Sequence, residues 1–260
     1  MSTASIHPDR LAETEYWAIA DPQAVKHYPF GRFHSHADFP DRQDANQFFD
    51  VRLQGAEAIK DFLTLLEACY QPLNYNYRRL SVHEPLTAEL LIPVLKTQGW
   101  ECNKIFMMLH TAKAMRPINP DVRIESIDFA KQTLEDPGDF RKVYADDDFE
   151  FYRLYDLHVD KRLGGKRIFA YLDDVPVGMT GFFVKDGIAR YRGVYVHPKH
   201  RQLHIASTMI QYIQEALEVK AQEALTIHVG EDGPVKLYEA LGFSHHSVAW
   251  DCLKKLKSES

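Results

Sequence analysis

Between Arg167 and Lys220 the chain changes its hydrophobic period once, and that change restricts the fold more than any other feature. Arg167–Leu172, Pro176–Lys185 and Ile188–His197 read as three strands. Asp173-Asp174 is a turn between the first two, and Asp186-Gly187 is a tight hairpin signal between the second two. Then Ile205, Met209, Tyr212, Ile213, Ala216 and Leu217 recur at helical spacing. They predict one amphipathic helix over Ile205–Lys220. Leu225–Val229 reads as a strand, Pro234–Leu241 as a helix closed by Gly242, and Phe243–Leu253 as a last strand. Upstream, Val122–Ile127 alternates as a strand and Asp128–Tyr144 as a helix broken at Pro137-Gly138. The order β-α-β-β-β-α-β-α-β predicts an α+β fold with a mixed, mostly antiparallel sheet flanked by helices. No GxGxxG follows a strand, so a doubly wound dinucleotide fold is excluded.

The N-terminal half is less regular. Glu15–Ile19 reads as a short strand and Phe30–Asp50 as loop with short strands. Ile59, Phe62, Leu63, Leu66 and Cys69 give one apolar face to a helix over Gly55–Tyr70. Arg79–His83 reads as a strand, Thr87–Gln98 as a helix closed by Gly99, and Trp100–Leu109 as a strand. Ala112–Pro120, with Lys113, Arg116, Pro117 and Pro120 and no sustained period, reads as a linker. It divides the chain into 1–115 and 116–260.

An internal repeat links the halves. Leu80-Ser81-Val82-His83, a helix, then Gly99-Trp100 and a strand ending Met108-Leu109 parallels Leu225-Thr226-Ile227-His228, a helix, then Gly242-Phe243 and a strand ending Cys252-Leu253. The two helices are expected to be of similar length. A duplicated unit follows, so the fold is expected to be present twice.

Charge and cysteine usage exclude several function classes. The 260 residues hold 31 Lys plus Arg against 37 Asp plus Glu, a net charge of −6, and neither side of Pro120 is basic. Wrapping of nucleic acid wants a basic stripe, so none is expected. No run of about 18 apolar residues exists to cross a membrane. Met1–Arg10 has no secretory pattern, and Cys69, Cys102 and Cys252 are odd in number with no CxxC. The expectation is a cytoplasmic protein with three small buried thiols.

The stretch Tyr191–Ala206 carries chemistry. A strand runs through Val194, Tyr195 and Val196 into the polar turn His197–His204, which opens the long helix. A helix start exposes unpaired N–H groups and a positive dipole end, which suits an anion such as a diphosphate, with Arg201 at its mouth. An ordinary strand-turn-helix reads the same way on spacing alone.

Val196-His197-Pro198 followed by Arg201-x-x-His204-x-Ala206 resembles the acyl-CoA signature of the GNAT superfamily, the acetyl-CoA-dependent N-acyltransferases: V-x-P, then Q/R-x-x-G-x-G/A opening a helix. Leu237-Tyr238-Glu239-Ala240-Leu241-Gly242-Phe243 is similar to the second signature, L-Y-x-x-x-G-F. The likeness covers Val122–Leu253. It implies that Val194, Tyr195 and Val196 hold the pantetheine and polarise the thioester carbonyl, with a bulge at Gly193. It implies that Arg201, Gln202, Leu203, His204, Ile205, Ala206 and Ser207 take the diphosphate, and that Tyr238 protonates the departing thiolate. The departures are specific. The family's central Gly is His204. The Asn seven positions before the Tyr is Glu231, Pro234 replaces a small residue, and Arg190 stands where many members place a basic Glu. A water chain ending at His228, Glu231 or Tyr191 is one route for the amine's proton.

Other clusters carry competing readings. His34, His36 and Asp38 would share one face of an extended segment and offer three metal ligands, or belong to a polar loop. Asp146-Asp147-Asp148 reads as a solvated loop or as a collector of a cationic amine. Phe151, Tyr152, Tyr155 and Leu157 read as core or as acceptor-pocket lining, while Trp17, Trp100 and Trp250 read as core. His245-His246 reads as structural and the lysines from Lys254 as a solvated tail.

Two tandem GNAT-like halves are therefore expected, the first degenerate. The second would use acetyl-CoA, without a metal, to acetylate an amine of a small molecule or protein, as a monomer or homodimer. The alternatives are a non-catalytic module that binds CoA or a partner, and a metal-dependent hydrolase on His34, His36 and Asp38.

Overall fold

The structure is a computed structural model and describes residues 6–128 and 158–256. The expected helix at Asp128–Tyr144, the Asp146-Asp147-Asp148 run and the Phe151–Leu157 aromatic group lie beyond its described residues, apart from Asp128. The described chain forms two compact units. One holds residues 7–107, 229–233 and 246–256; the other holds 108–128, 158–228 and 234–245 with Ile6. Each is a mixed sheet, mostly antiparallel, with helices packed on it.

The N-terminal unit begins with α1 (Pro8–Ile19). A strand was expected at Glu15–Ile19; a helix is present. His7 Nδ1 accepts the Asp9 N–H at 3.3 Å and Pro8 takes the first helical position, where its missing N–H costs nothing. Leu11, Thr14, Trp17 and Ala18 are buried along one face. The strands β1 (Val25–Tyr28), β2 (Gly31–His34) and β3 (Gln47–Phe49) pair antiparallel in turn. Then α2 (Ala58–Tyr70) crosses to β4 (Tyr77–Val82), which lies parallel to β3 with Phe48 opposite Leu80. After α3 (Pro85–Thr97) comes β5 (Glu101–His110). Phe33, Phe48, Phe62, Leu66, Tyr70, Leu80, Leu91, Leu95 and Trp100 are the core. The last strand, β11 (Phe243–Lys255), runs antiparallel to β4, with Cys252 opposite Leu80. Cys102 and Cys252 are buried there as free, hydrogen-bonded thiols.

The C-terminal unit is the meander read from the sequence. β6 (Arg123–Asp128), β7 (Lys166–Leu172), β8 (Val175–Lys185) and β9 (Ile188–Val196) pair antiparallel in order. Both turns use left-handed residues: Asp173 and Asp174 at φ 50° and 60°, Asp186 and Gly187 at 47° and 78°. These are the primed turns whose twist suits adjacent strands. α4 (Ile205–Glu215) returns the chain to β10 (Ala224–Gly230), parallel to β9. Ile205, Met209, Ile210 and Ile213 bury its apolar face. The helix does not run to Lys220 as its period predicts. Ala216 is extended at ψ 135°, and α5 (Leu217–Lys220) restarts after it. Gln214, buried, donates to the Leu241 carbonyl and fixes the end of α4, while the Val219 and Lys220 N–H groups turn back to Ala216 O. No Gly or Pro marks that break.

The repeat is visible in the backbone. Each unit has an antiparallel meander, then a parallel β-α-β step: β3-α2-β4 in one and β9-α4-β10 in the other. Gly99 and Gly242 occupy matching left-handed positions at φ 81° and 87°. The following helices differ: α3 has 13 residues, and α6 (Val235–Ala240) has six, not the similar lengths expected. Gly242 tolerates no side chain, because a Cβ there would stand 1.9 Å from Ala112 O.

Candidate active site

β9 and β10 pair only from Ile188↔Ala224 to Arg190↔Thr226, although β9 continues to Val196 and β10 to Gly230. Among the described residues the β9–β10 ladder goes no further than Arg190↔Thr226. β9 carries a bulge against β8. Gly181 faces Arg192 and Met179 faces Tyr195, so Gly193 and Val194 together oppose Thr180. Gly193 adopts φ 53°, which glycine takes without a Cβ penalty.

A cleft of about 580 Å³ opens beside this strand. Val194, Tyr195 and Val196 form one wall, and Arg201, Gln202, His204, Ile205, Ala206 and Ser207 form another. Pro234, Leu237 and Tyr238 of the α6 segment close a third side. Of the expected cofactor residues only Leu203 is outside the lining; its side chain is 42% exposed.

The start of α4 leaves backbone N–H groups without a capping side chain. His204 occupies the cap position at φ 56° and makes no side-chain bond to the helix. Its carbonyl accepts from Thr208 N–H, the first intrahelical bond, so the N–H groups of Ile205, Ala206 and Ser207 have no protein acceptor among the described residues. Gln202 is also left-handed, at φ 67°. Two non-glycine residues of this turn are thus left-handed, and His204 is the one that stands where the signature has Gly. The His204 ring is exposed. Among the described residues the cleft lining holds Arg116 and Arg201 and no Asp or Glu. Arg201 Nε donates to Val196 O at 3.3 Å, tying the turn back to β9.

The segment read as a linker is instead fastened to this turn. Gln211 Nε2 donates to Arg116 O at 2.9 Å, Ser207 Oγ to Pro117 O at 2.9 Å, and Asn119 N–H to Thr208 Oγ1 at 2.9 Å. Asn119 Nδ2 donates to Leu203 O at 3.0 Å. Sequence reasoning missed Arg116 and Asn119 as site residues. The Pro-rich composition signalled a connection, and nothing in its spacing signalled where it docks.

Tyr238 is buried, 6% exposed, with its ring edge-on to Phe243 at 6.2 Å. Burial pushes its hydroxyl pKa up to about 12. The hydroxyl has no hydrogen-bond partner among the described residues, so its proton stays on oxygen and available to a group in the cleft. Tyr191 differs. It is fully buried, its hydroxyl donates to Ile210 O at 2.7 Å, and desolvation raises its pKa well above the usual value. That hydroxyl is a structural bond beneath α4. Arg190 Nη1 donates to His228 Nδ1 at 2.9 Å, so this imidazole's Nδ1 lone pair is engaged. Glu231 Oε1 accepts the Lys104 N–H at 3.2 Å. Asp160 accepts from both Arg167 and Arg192, a buried network that sequence reasoning did not find.

The His34, His36, Asp38 trio does not form a metal centre. His34 is fully buried. Its Nε2 accepts the Asp21 N–H at 2.9 Å and its Nδ1 bonds Ala45 O, so both ring nitrogens are committed. Asp38 is exposed. The hydrolase reading falls with it.

The family profile described as the acetyltransferase (GNAT) domain matches residues 164–245, the span from β7 into β11 that holds the cleft. The match covers about a third of the chain. No curated protein matches the chain. Among solved structures the chain is similar to a GCN5-related N-acetyltransferase from Kribbella flavida, with TM-score 0.66 and 14% identity over 98% of each chain. It is also similar to a tandem GNAT protein from the clavulanic acid biosynthesis pathway, with TM-score 0.60 and 12% identity over 96% of this chain and 89% of that one. A functionally unknown protein from Staphylococcus epidermidis gives TM-score 0.70 at 14% identity, over 89% and 93%. At these identities the likeness is one of fold, and it spans both halves.

Proposed function

We propose that the C-terminal half, 116–260, transfers an acetyl group from acetyl-CoA to an amine of a small molecule or protein, and that the N-terminal half, 1–115, is a degenerate GNAT-like partner. The observation that carries this reading is the uncapped start of α4, whose Ile205, Ala206 and Ser207 N–H groups adjoin a cleft lined, among the described residues, by two arginines and no carboxylate. A diphosphate fits that donor set: amides at a helix N-terminus with cations at the mouth. Arg201 and Arg116 supply the charge. Beyond the ladder with β10, Val194 and Val196 line the cleft, where β9 would offer N–H groups to the pantetheine and to the thioester carbonyl oxygen.

In the reaction the amine nitrogen bonds to the thioester carbonyl carbon and the C–S bond breaks. The thiolate takes the Tyr238 proton, and the proton lost by the amine passes to solvent and restores the tyrosine. A hydroxyl with pKa about 12 remains protonated through the neutral range, as the acid role demands. Holding both reactants in one cleft supplies much of the rate, roughly 7–11 kcal/mol in favourable cases.

A non-catalytic CoA-binding module is the second reading, favoured by a cleft lining that holds, among the described residues, no carboxylate to take the amine's proton. The test is acetyl-CoA consumption against a panel of amines. Amine-dependent thiol release supports the transferase; CoA binding without release by any amine supports the module. A cytoplasmic site of action, as monomer or homodimer, is part of this proposal; among the described residues no helix is long and apolar enough to cross a membrane.

A further inference from the structure

The left-handed His204 needs an explanation, because nothing in its own side chain holds it. A peptide unit is planar and trans, so its C=O and N–H point to opposite sides. The Leu203 carbonyl is drawn to Asn119 Nδ2 at 3.0 Å, and Asn119 is not part of the cleft lining. The His204 N–H of that same peptide is therefore turned the other way. Flipping this peptide would take His204 out of the left-handed region and bring a carbonyl oxygen round in place of the N–H. An oxygen there repels phosphate. Asn119 is itself held at three points: its N–H on Thr208 Oγ1, its Oδ1 on the Asp121 N–H at 2.9 Å, and its amide on Leu203. Thr208 Oγ1 in turn donates to His204 O at 2.9 Å, closing the network on the capping residue.

We propose that Asn119 is a positioning residue of the anion site, locking the Leu203–His204 peptide in the orientation that receives a diphosphate and doing in this chain what a glycine at position 204 does in the family pattern. The proposal rests on the acetyl-CoA reading above.

The test is calorimetric titration of CoA into the full chain and into Asn119→Ala, His204→Gly and the double variant. Asn119→Ala should raise the Kd for CoA about five-fold, the effect of one hydrogen bond of ordinary net worth. On the His204→Gly background, where the left-handed conformation needs no lock, the same change should cost less than about two-fold. An unchanged Kd in Asn119→Ala, or an equal loss on both backgrounds, overturns the positioning role while leaving CoA binding intact. A wild-type chain that takes up no CoA overturns the acetyl-CoA reading and this one with it. Should Asn119→Ala fold too poorly to titrate, Asn119→Asp keeps the acceptor for Asp121 and loses only the amide donor. Its loss of affinity should persist at about 1 M salt, where the added charge is screened to roughly 3 Å; a loss that vanishes there overturns the proposal.

Discussion

His204→Gly is the substitution that separates backbone geometry from imidazole chemistry at the anion site. His204 sits at φ 56°, and its exposed ring makes no capping bond, so removal gives up little contact. The left-handed conformation costs a non-glycine residue about 1–2 kcal/mol. Glycine returns about 0.5–1 kcal/mol of that as added freedom in the unfolded chain. The net expectation is a stabilisation of roughly 0.5–1 kcal/mol, which raises the melting temperature by about 1–3 °C for a chain of this size. CoA should bind the variant at least as tightly, because no ring stands beside the phosphates. Scanning calorimetry with and without CoA reads both quantities. A lower melting temperature, or weaker CoA binding, would refute the reasoning and show that the imidazole itself contacts the ligand.

Three further outcomes are expected. Tyr238→Phe should lower turnover about 100-fold, at the low end for loss of a general acid, with CoA affinity nearly unchanged; equal turnover would assign the acid elsewhere. Gly193→Ala places a Cβ at φ 53° and 3.4 Å from Arg167 Nη1, and should cost about 1–2 kcal/mol and weaken CoA binding by disturbing the bulge, as a urea titration and calorimetry would report. Burial raises the Tyr238 pKa to about 12 from an unfolded value near 10, so the folded state holds the proton more tightly. That contribution is fully present below pH 10 and lost as pH rises through 12. Urea midpoints should fall over that window, and less steeply in Tyr238→Phe.

The meander and the turn-helix were readable because their signals are local. Asp186-Gly187 needs only its own φ values to form a hairpin, and the α4 period buries Met209 and Ile213 wherever the sheet lies. The same locality explains the misreadings. Pro8 and His7 start α1, but the apolar spacing of Trp17–Ile19 is too short to distinguish helix from strand. The break at Ala216 depends on Gln214 reaching Leu241, a contact between elements distant in sequence. His34 looked like a ligand because residue type and spacing do not reveal that Asp21 and Ala45 already occupy both ring nitrogens. The bulge at Gly193 was legible from one glycine in a strand. The roles of Arg116 and Asn119 were not, because they arise from docking of residues 116–119 onto a helix whose start lies more than 80 positions later.

The most direct measurement is the binding of CoA to the unmodified chain, followed by calorimetric titration and by the melting temperature. Amides at the start of α4 and the cations of Arg116 and Arg201 predict saturable 1:1 binding. At a hundred-fold excess over Kd they predict about 2.7 kcal/mol of added stability. No heat of binding and no shift in melting temperature at millimolar CoA would contradict it.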